Sequence, residues 1–164
     1  MLAVLTAAVI ALVVKAFVLD AAVVDGRSML PLLRPGSVVL VLRCAYGIRS
    51  PASGGYLLRW ASPGRGDVVV AVDPMNGRTV VKRTAAVGPL RLEAKGSELH
   101  AAGIEIPLDE EGARRWQSGL SLRDGQLFLL GDNPPESMDS RSYGPVDAGT
   151  LRGKVLLLPE WIRR

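Results

Sequence analysis

Residues 67–83 read DVVVAVDPMNGRTVVKR. Val70–Val72 and Val80–Val81 flank Asn76-Gly77, a dipeptide suited to tight hairpin turns because both positions tolerate positive φ. The stretch therefore predicts a β-hairpin, with strands over 67–72 and 78–83. VVLVL (38–42), QLFLL (126–130) and KVLLL (154–158) have the same strand texture. Gly, Pro and Asp punctuate the chain between them, as at Arg34-Pro35-Gly36, Pro63-Gly64 and Asp73-Pro74. Residues 91–106 predict a second hairpin region, turning at Lys95-Gly96 and Ala102-Gly103, and 109–119 predict one short helix. Many short strands at close spacing imply a mainly β fold, a coiled antiparallel sheet or barrel-like domain. Two stretches, 43–66 and 131–149, resist the strand reading and are expected to be long ordered loops, where chemistry tends to reside.

The amino-terminal stretch differs. Residues 2–19, LAVLTAAVIALVVKAFVL, carry one charge, Lys15. As a helix this is roughly 27 Å long, against a hydrocarbon core of ~30 Å. A buried core helix should show a polar face, and residues 2–14 show none. A cleaved leader should open with a basic stretch and close on Ala-x-Ala; no Lys or Arg precedes residue 15, although looser sites such as Val14-Lys15-Ala16 exist. The pattern favours an uncleaved membrane anchor helix over residues 1–22, followed by a β-rich domain over 23–164. In the 164-residue chain, 20 Lys+Arg face 16 Asp+Glu, and the cations are scattered. That balance fits a lipid bilayer surface and not nucleic acid, which would call for a basic stripe or patch.

Counts narrow the chemistry. One Cys (Cys44) and one His (His100) exclude an internal disulfide and a zinc site of the usual kind, so no metal or other cofactor is expected. Ser-His-Asp or Cys-His catalysis would have to use His100. A Ser activated by a neutral Lys remains, and the chain holds four lysines. Lys15 lies in the anchor, Lys95 in a turn, and Lys154 opens the last strand. Lys82 sits inside a β-branched strand, on the face of Val80. Two fates are open to it: an edge-strand Lys in water, or a covered amine with a lowered pKa, as a Lys base requires. Ser28 is the candidate nucleophile. Gly26 allows a tight backbone before it and Pro31 restricts the chain after it, leaving the Ser28 N–H free as an oxyanion donor. Most Ser in Gly/Pro loops are ordinary turn residues. GDNPPESMDSRSYG (131–144) gathers Asp132, Asn133, Ser137, Asp139, Ser140 and Arg141 directly after an apolar strand; Asp139 and Arg141 can pair, and a Ser hydroxyl can hold a Lys amine.

Four segments in order, GRSMLP (26–31), RGDVVV (65–70), VVKR (80–83) and Gly131 to Gly144, behind an apolar amino terminus, resemble the type I signal peptidases. YGIRSP (46–51) looks more like the bacterial than the mitochondrial branch. The resemblance implies a membrane-bound Ser/Lys endopeptidase that removes leader peptides from exported preproteins after Ala-x-Ala. It implies a single-pass protein of the bacterial inner membrane, with the catalytic domain on the outer face. Ser28 matches the nucleophile, and its N–H the oxyanion donor. Lys82 matches the general base, Ser137 the hydroxyl that orients the amine, and Asp139 with Arg141 the supporting ion pair. Met29, Leu33, Val80 and Val81 match positions near shallow pockets for small residues. Arg83, Gly131, Asp132, Asn133, Ser140 and Gly144 match motif positions that are more structural than chemical. The chain departs from the pattern at Gly26, where some members carry a Ser that helps bind the oxyanion, and at Leu32, Gly88-Pro89 and Pro134-Pro135. Two other readings compete: a Ser/Lys autoprotease related to repressor switches, and a tethered β module that binds peptides without cutting them. Tyr56–Trp60 is read either as an amphipathic contact with the bilayer or as ordinary loop packing.

Overall fold

A computed structural model describes residues 4–7, 12, 17–50 and 54–156. The expected hairpin forms the centre of a seven-stranded antiparallel sheet. Its order is β1 (Leu19–Val23), β2 (Val38–Leu42), β13 (Gly153–Leu156), β5 (Val68–Val72), β6 (Thr79–Val87), β11 (Gln126–Leu130) and β12 (Val146–Asp147). β5 and β6 pair with Val69 opposite Lys82 and Val72 opposite Thr79, with Asn76-Gly77 in the turn. A second sheet of four strands has the order β10 (Leu120–Leu122), β7 (Leu90–Lys95), β8 (Glu98–Ala101) and β9 (Ile104–Pro107). The fold is thus mainly β and antiparallel, as the strand texture predicts. In the larger sheet β1 and β12 are the two edges.

β5 is an unbroken apolar run because both faces of the sheet are covered there. Val68 and Val70 pack with Val24, Met29, Leu33, Val39, Val41 and Val155 on one side. Val69 and Ala71 pack with Tyr46, Leu127, Leu129, Ala148 and Leu151 on the other. Alternation along β6 divides its residues likewise, Val81 joining the first cluster and Val80 the second. A third cluster, built on Ala86, Leu92, Leu99, Ile106, Leu122 and Phe128, joins β6 and β11 to the second sheet. At Phe128/Leu129 the β6–β11 register slips, Phe128 facing Ala86 and Leu129 facing Thr84. The extra residue, Ala85, bends β6 shortly after Lys82.

Several expectations are corrected. The 43–66 stretch is not only loop: β3 (Gly47–Arg49) and β4 (Tyr56–Arg59) form a hairpin of their own. In it Tyr56 packs against the core, while Leu57, Leu58 and Trp60 stand exposed. The helix expected over 109–119 covers only Glu110–Arg115, starting at Asp109, whose carboxylate accepts from the Gly112 N–H at 2.7 Å. Half of the anchor expected over 1–22 falls outside the described residues. Residues 4–7 are helical, and among the described residues no helix is long and apolar enough to cross a membrane. Leu19–Val23 is a strand paired with β2, so the sheet begins inside the segment assigned to the anchor helix. The last strand ends at Leu156 within the described residues, so residues 157–158 of its expected span lie outside them.

Asp67, which precedes β5, anchors this architecture. Its carboxylate accepts from Lys154 Nζ at 2.6 Å, the Tyr46 hydroxyl at 2.9 Å and the Gly64 N–H at 3.1 Å. Asp67→Ala removes one acceptor shared by three donors, one of them the buried Tyr46 hydroxyl. It is expected to destabilise the fold by about 1–3 kcal/mol, read as a lower denaturation midpoint in urea.

Candidate active site

Lys82 lies in β6 opposite Val69 of β5, one residue before the β11 ladder, which reaches β6 at Arg83 opposite Leu130. Its residue is only 3% exposed, which decides between the two fates left open by the sequence. Its cover comes from the segment after β11. Lys82 Nζ lies 2.8 Å from Ser137 Oγ, and Ser137 Oγ donates to Asp139 Oδ2 at 2.7 Å. Asp139 is fully buried. Besides Ser137, it accepts from the Gly131 N–H at 2.9 Å, from Arg141 Nε at 2.9 Å and Nη2 at 2.6 Å, and from the Arg141 N–H at 3.2 Å.

Two titrations follow from this geometry. Burial alone would raise the Asp139 pKa, but hydrogen bonds from Arg141, Gly131 and Ser137 outweigh it and hold the carboxyl below its usual range. Lys82 is held below the ordinary lysine range, chiefly by burial. Asp139 opposes that shift, Arg141 adds to it and Asp73 opposes it. An ionised carboxylate has no proton to give, so the Ser137 hydroxyl proton is committed to Asp139. Ser137 Oγ can then only accept from Lys82. A neutral amine that donates one N–H there keeps its lone pair for another partner.

The segment is fastened to β6 from the other face too. Arg83, the neighbour of Lys82, points the opposite way and grips Asp132 with Nε and Nη2, both at 2.7 Å, while its Nη1 donates to the Gly66 carbonyl at 2.9 Å. Farther along, the Leu129 N–H donates to Ser140 Oγ at 2.9 Å, docking the helical turn Ser140–Tyr143 on β11. Trp116 donates its indole N–H to the Arg141 carbonyl at 2.9 Å, and its ring lies against Gly144.

Ser28 is half-buried in the turn that follows β1. Its carbonyl accepts from the Asn133 N–H at 2.9 Å, so the Ser28 turn is docked on the 131–141 segment. Gly131 is the contact point: a Cβ there would lie 2.2 Å from Ser137 Oγ and 2.6 Å from the Ser28 carbonyl oxygen. The Ser28 carbonyl and Ser137 Oγ therefore meet at Gly131, and Lys82 Nζ lies 2.8 Å from that same Ser137 oxygen. Of the expected pocket residues, Met29 and Leu33 are buried in the core beneath this turn with Val81 against them, whereas Val80 lies on the opposite face of β6. A cleft of about 390 Å³ has Ser137 and Arg141 in its wall. His100 takes no part: it stands in the second sheet, 2.8 Å from Glu98. Among the described residues no group of three or more His, Cys, Asp or Glu could hold a metal ion. The sequence carries no sign of the Trp116 contacts, and for those of Asn133 the one signal is its place between Gly-Asp and Pro-Pro.

The site thus presents a buried amine held by a hydroxyl, on a segment that also docks the Ser28 turn. The family model of signal peptidase, peptidase S26, matches residues 1–159, and the chain belongs to that family. Over 133 residues it is 30% identical to the mitochondrial ATP-independent inner membrane protease subunit 1b of Arabidopsis thaliana, covering 80% of this chain and 64% of that protein. Over 159 residues it is 26% identical to the signal peptidase I of Bacillus caldolyticus, covering 86% of this chain and 79% of that protein. Relatives of the bacterial and mitochondrial branches thus match at similar identity. Among solved structures, a signal peptidase I from Enterococcus faecalis aligns at 26% identity with a TM-score of 0.44, over 58% of this chain and 97% of that one.

Gly131→Ala would drive a methyl group into Ser137 and the Ser28 carbonyl at once. It is expected to destabilise the protein by about 1–3 kcal/mol, measured by chemical denaturation.

Proposed function

We propose that the chain is a serine endopeptidase that removes amino-terminal signal peptides from exported preproteins, cutting after small residues of the Ala-x-Ala type. The observation that carries this reading is the buried Lys82 amine, hydrogen-bonded to a Ser137 hydroxyl whose own proton is committed to Asp139. Neutral Lys82 takes the proton of the Ser28 hydroxyl as Ser28 Oγ attacks the carbonyl carbon of the scissile bond. The Ser28 N–H stabilises the oxyanion. Collapse breaks the C–N bond, and the Lys82 ammonium returns its proton to the departing amine. A water then gives a proton to Lys82 and attacks the acyl carbon, and Ser28 leaves with that proton. Arg141 holds Asp139, Asp139 holds Ser137, and Ser137 holds the amine. The leader is added as an extended strand. Of the expected pocket residues, Met29 and Leu33 are buried in the core, and Val80 and Val81 alone keep the partial exposure that would let small leader residues reach them.

The apolar stretch that precedes β1 is read as a single membrane pass, which would place the domain on the outer face of the inner membrane, where leader peptides emerge. Exposed Leu57, Leu58 and Trp60 of the β3–β4 hairpin suit contact with that bilayer.

Incubation of detergent-solubilised full chain with an exported precursor tests the assignment. Cleavage after Ala-x-Ala is expected, falling by at least about 10³-fold in Ser28→Ala and in Lys82→Ala. Undiminished cleavage by Lys82→Ala would overturn the dyad, and precursor binding without cleavage by the wild type would favour the tethered module. The pH profile carries a sign. Only the neutral amine can accept the proton, so kcat/KM rises with pH through the Lys82 pKa. Because burial depresses that pKa, the rise is expected below the ordinary lysine value of about 10.4. Ser137→Ala leaves the amine without its oriented acceptor and is expected to lower kcat by roughly 10- to 100-fold.

A further inference from the structure

Asn133 makes two hydrogen bonds into the Ser28 turn, and together they bear on both peptide units that flank the Ser28 Cα. Its backbone N–H donates to the Ser28 carbonyl at 2.9 Å, fixing the unit between Ser28 and Met29. Its side-chain Nδ2 donates to the Arg27 carbonyl at 3.0 Å, fixing the unit between Arg27 and Ser28. The Leu30 N–H reaches that same Arg27 oxygen at 3.2 Å, so both of its lone pairs are engaged.

The second of these units carries the Ser28 N–H. A trans peptide is planar, and its C=O and N–H point in opposite directions. Holding the Arg27 oxygen toward Asn133 therefore aims the Ser28 N–H away from the 131–141 segment. Hydrogen bonds accepted by a carbonyl also polarise the unit and strengthen its N–H as a donor. At Gly26 no side chain competes for or shares this position: a Cβ built there would meet only the Ser28 nitrogen, at 4.0 Å. The aim of one N–H then matters more than it would if a hydroxyl shared the load. Asn133 also stands two residues from Gly131 and four from Ser137, so one short segment holds both the base and the nucleophile's backbone.

We propose that Asn133 is the positioning residue of the oxyanion site, its side-chain amide orienting the Arg27–Ser28 peptide so that the Ser28 N–H meets the developing oxyanion. The assignment rests on the Ser28/Lys82 protease reading and adds to it a residue that touches neither substrate nor base.

The test compares full-length wild type, Asn133→Ala and Asn133→Asp in detergent, cleaving a fluorogenic peptide that ends its leader half in Ala-x-Ala. Asn133→Asp keeps the shape and the backbone N–H but puts an acceptor against the Arg27 carbonyl, so it decides the matter if the Ala variant does not fold. Removing an oxyanion donor outright costs about 10²–10³ in kcat, and misaiming one is expected to cost roughly 10- to 100-fold. KM should stay within about threefold of wild type, and in Asn133→Ala, which adds no charge, the acid limb should stay at its wild-type pH, because Lys82 and Ser137 are untouched. A peptide aldehyde of the same leader sequence, which forms a tetrahedral adduct with a serine, should lose affinity by the same factor as kcat. Folded variants with kcat within twofold of wild type overturn the assignment while the protease reading stands. A loss that falls on KM, or an acid limb that moves in Asn133→Ala, overturns it too, as the mark of a general structural role. A wild type that cleaves nothing sinks the protease reading, and this assignment with it.

Discussion

The site depends on one buried carboxylate. Asp139 has no solvent of its own, so its charge is tolerable only because five hydrogen bonds converge on it from Gly131, Ser137 and Arg141. Each bond has a structural consequence. The one from Gly131 closes the segment after β11 back on itself. The pair from the Arg141 side chain neutralises the charge and fixes the first turn of Ser140–Tyr143. The one from Ser137 polarises a hydroxyl toward the carboxylate and so determines what that hydroxyl can do for Lys82. Removing either partner of a buried ion pair costs about 3–5 kcal/mol by general experience. Asp139 and Arg141 are therefore bound to each other first and to the chemistry second.

β6 delivers the other half. Because side chains alternate across a strand, consecutive residues Lys82 and Arg83 reach opposite faces, yet both end on the same segment, at Ser137 and at Asp132. A segment held from both faces of one strand cannot slide along it without breaking one grip. The register slip between β6 and β11 follows immediately. It inserts Ala85 and redirects the strand just past the site, where the sheet turns to meet the second sheet through Ala86 and Phe128. Rigidity at Lys82 and curvature beyond it thus come from neighbouring residues.

How much of this was legible in the sequence depended on the range of the interactions. β5 and β6 were, because β-branched runs and Asn76-Gly77 are local signals. β1 was not: Leu19–Val23 continues an apolar stretch, and only its pairing with β2 makes it a strand. β3 and β4 were hidden by their shortness and by the Gly and Ser residues around them. Within the site, the residue types and their order were legible, but the burial of Lys82 was not. Alternation gives a face, while the cover on that face comes from Ser137, 55 residues away. The Asn133 bond to Arg27 spans 106 residues and leaves no local trace.

The arrangement also accounts for the sign of the Lys82 shift. A lysine placed directly against a carboxylate is held in its charged form, which would make it a poor base at neutral pH. Here a hydroxyl stands between them, so the charges are two hydrogen bonds apart instead of one, and Coulomb attraction weakens with that separation. Arg141 weakens it further, since its guanidinium lies on the same carboxylate and repels an ammonium. What remains is burial, which disfavours the charged amine and prevails. Ser137 therefore does two things with one oxygen. It orients the amine, and it keeps Asp139 out of direct contact with it; a carboxylate in its place would supply the orientation and hold the amine in its charged form.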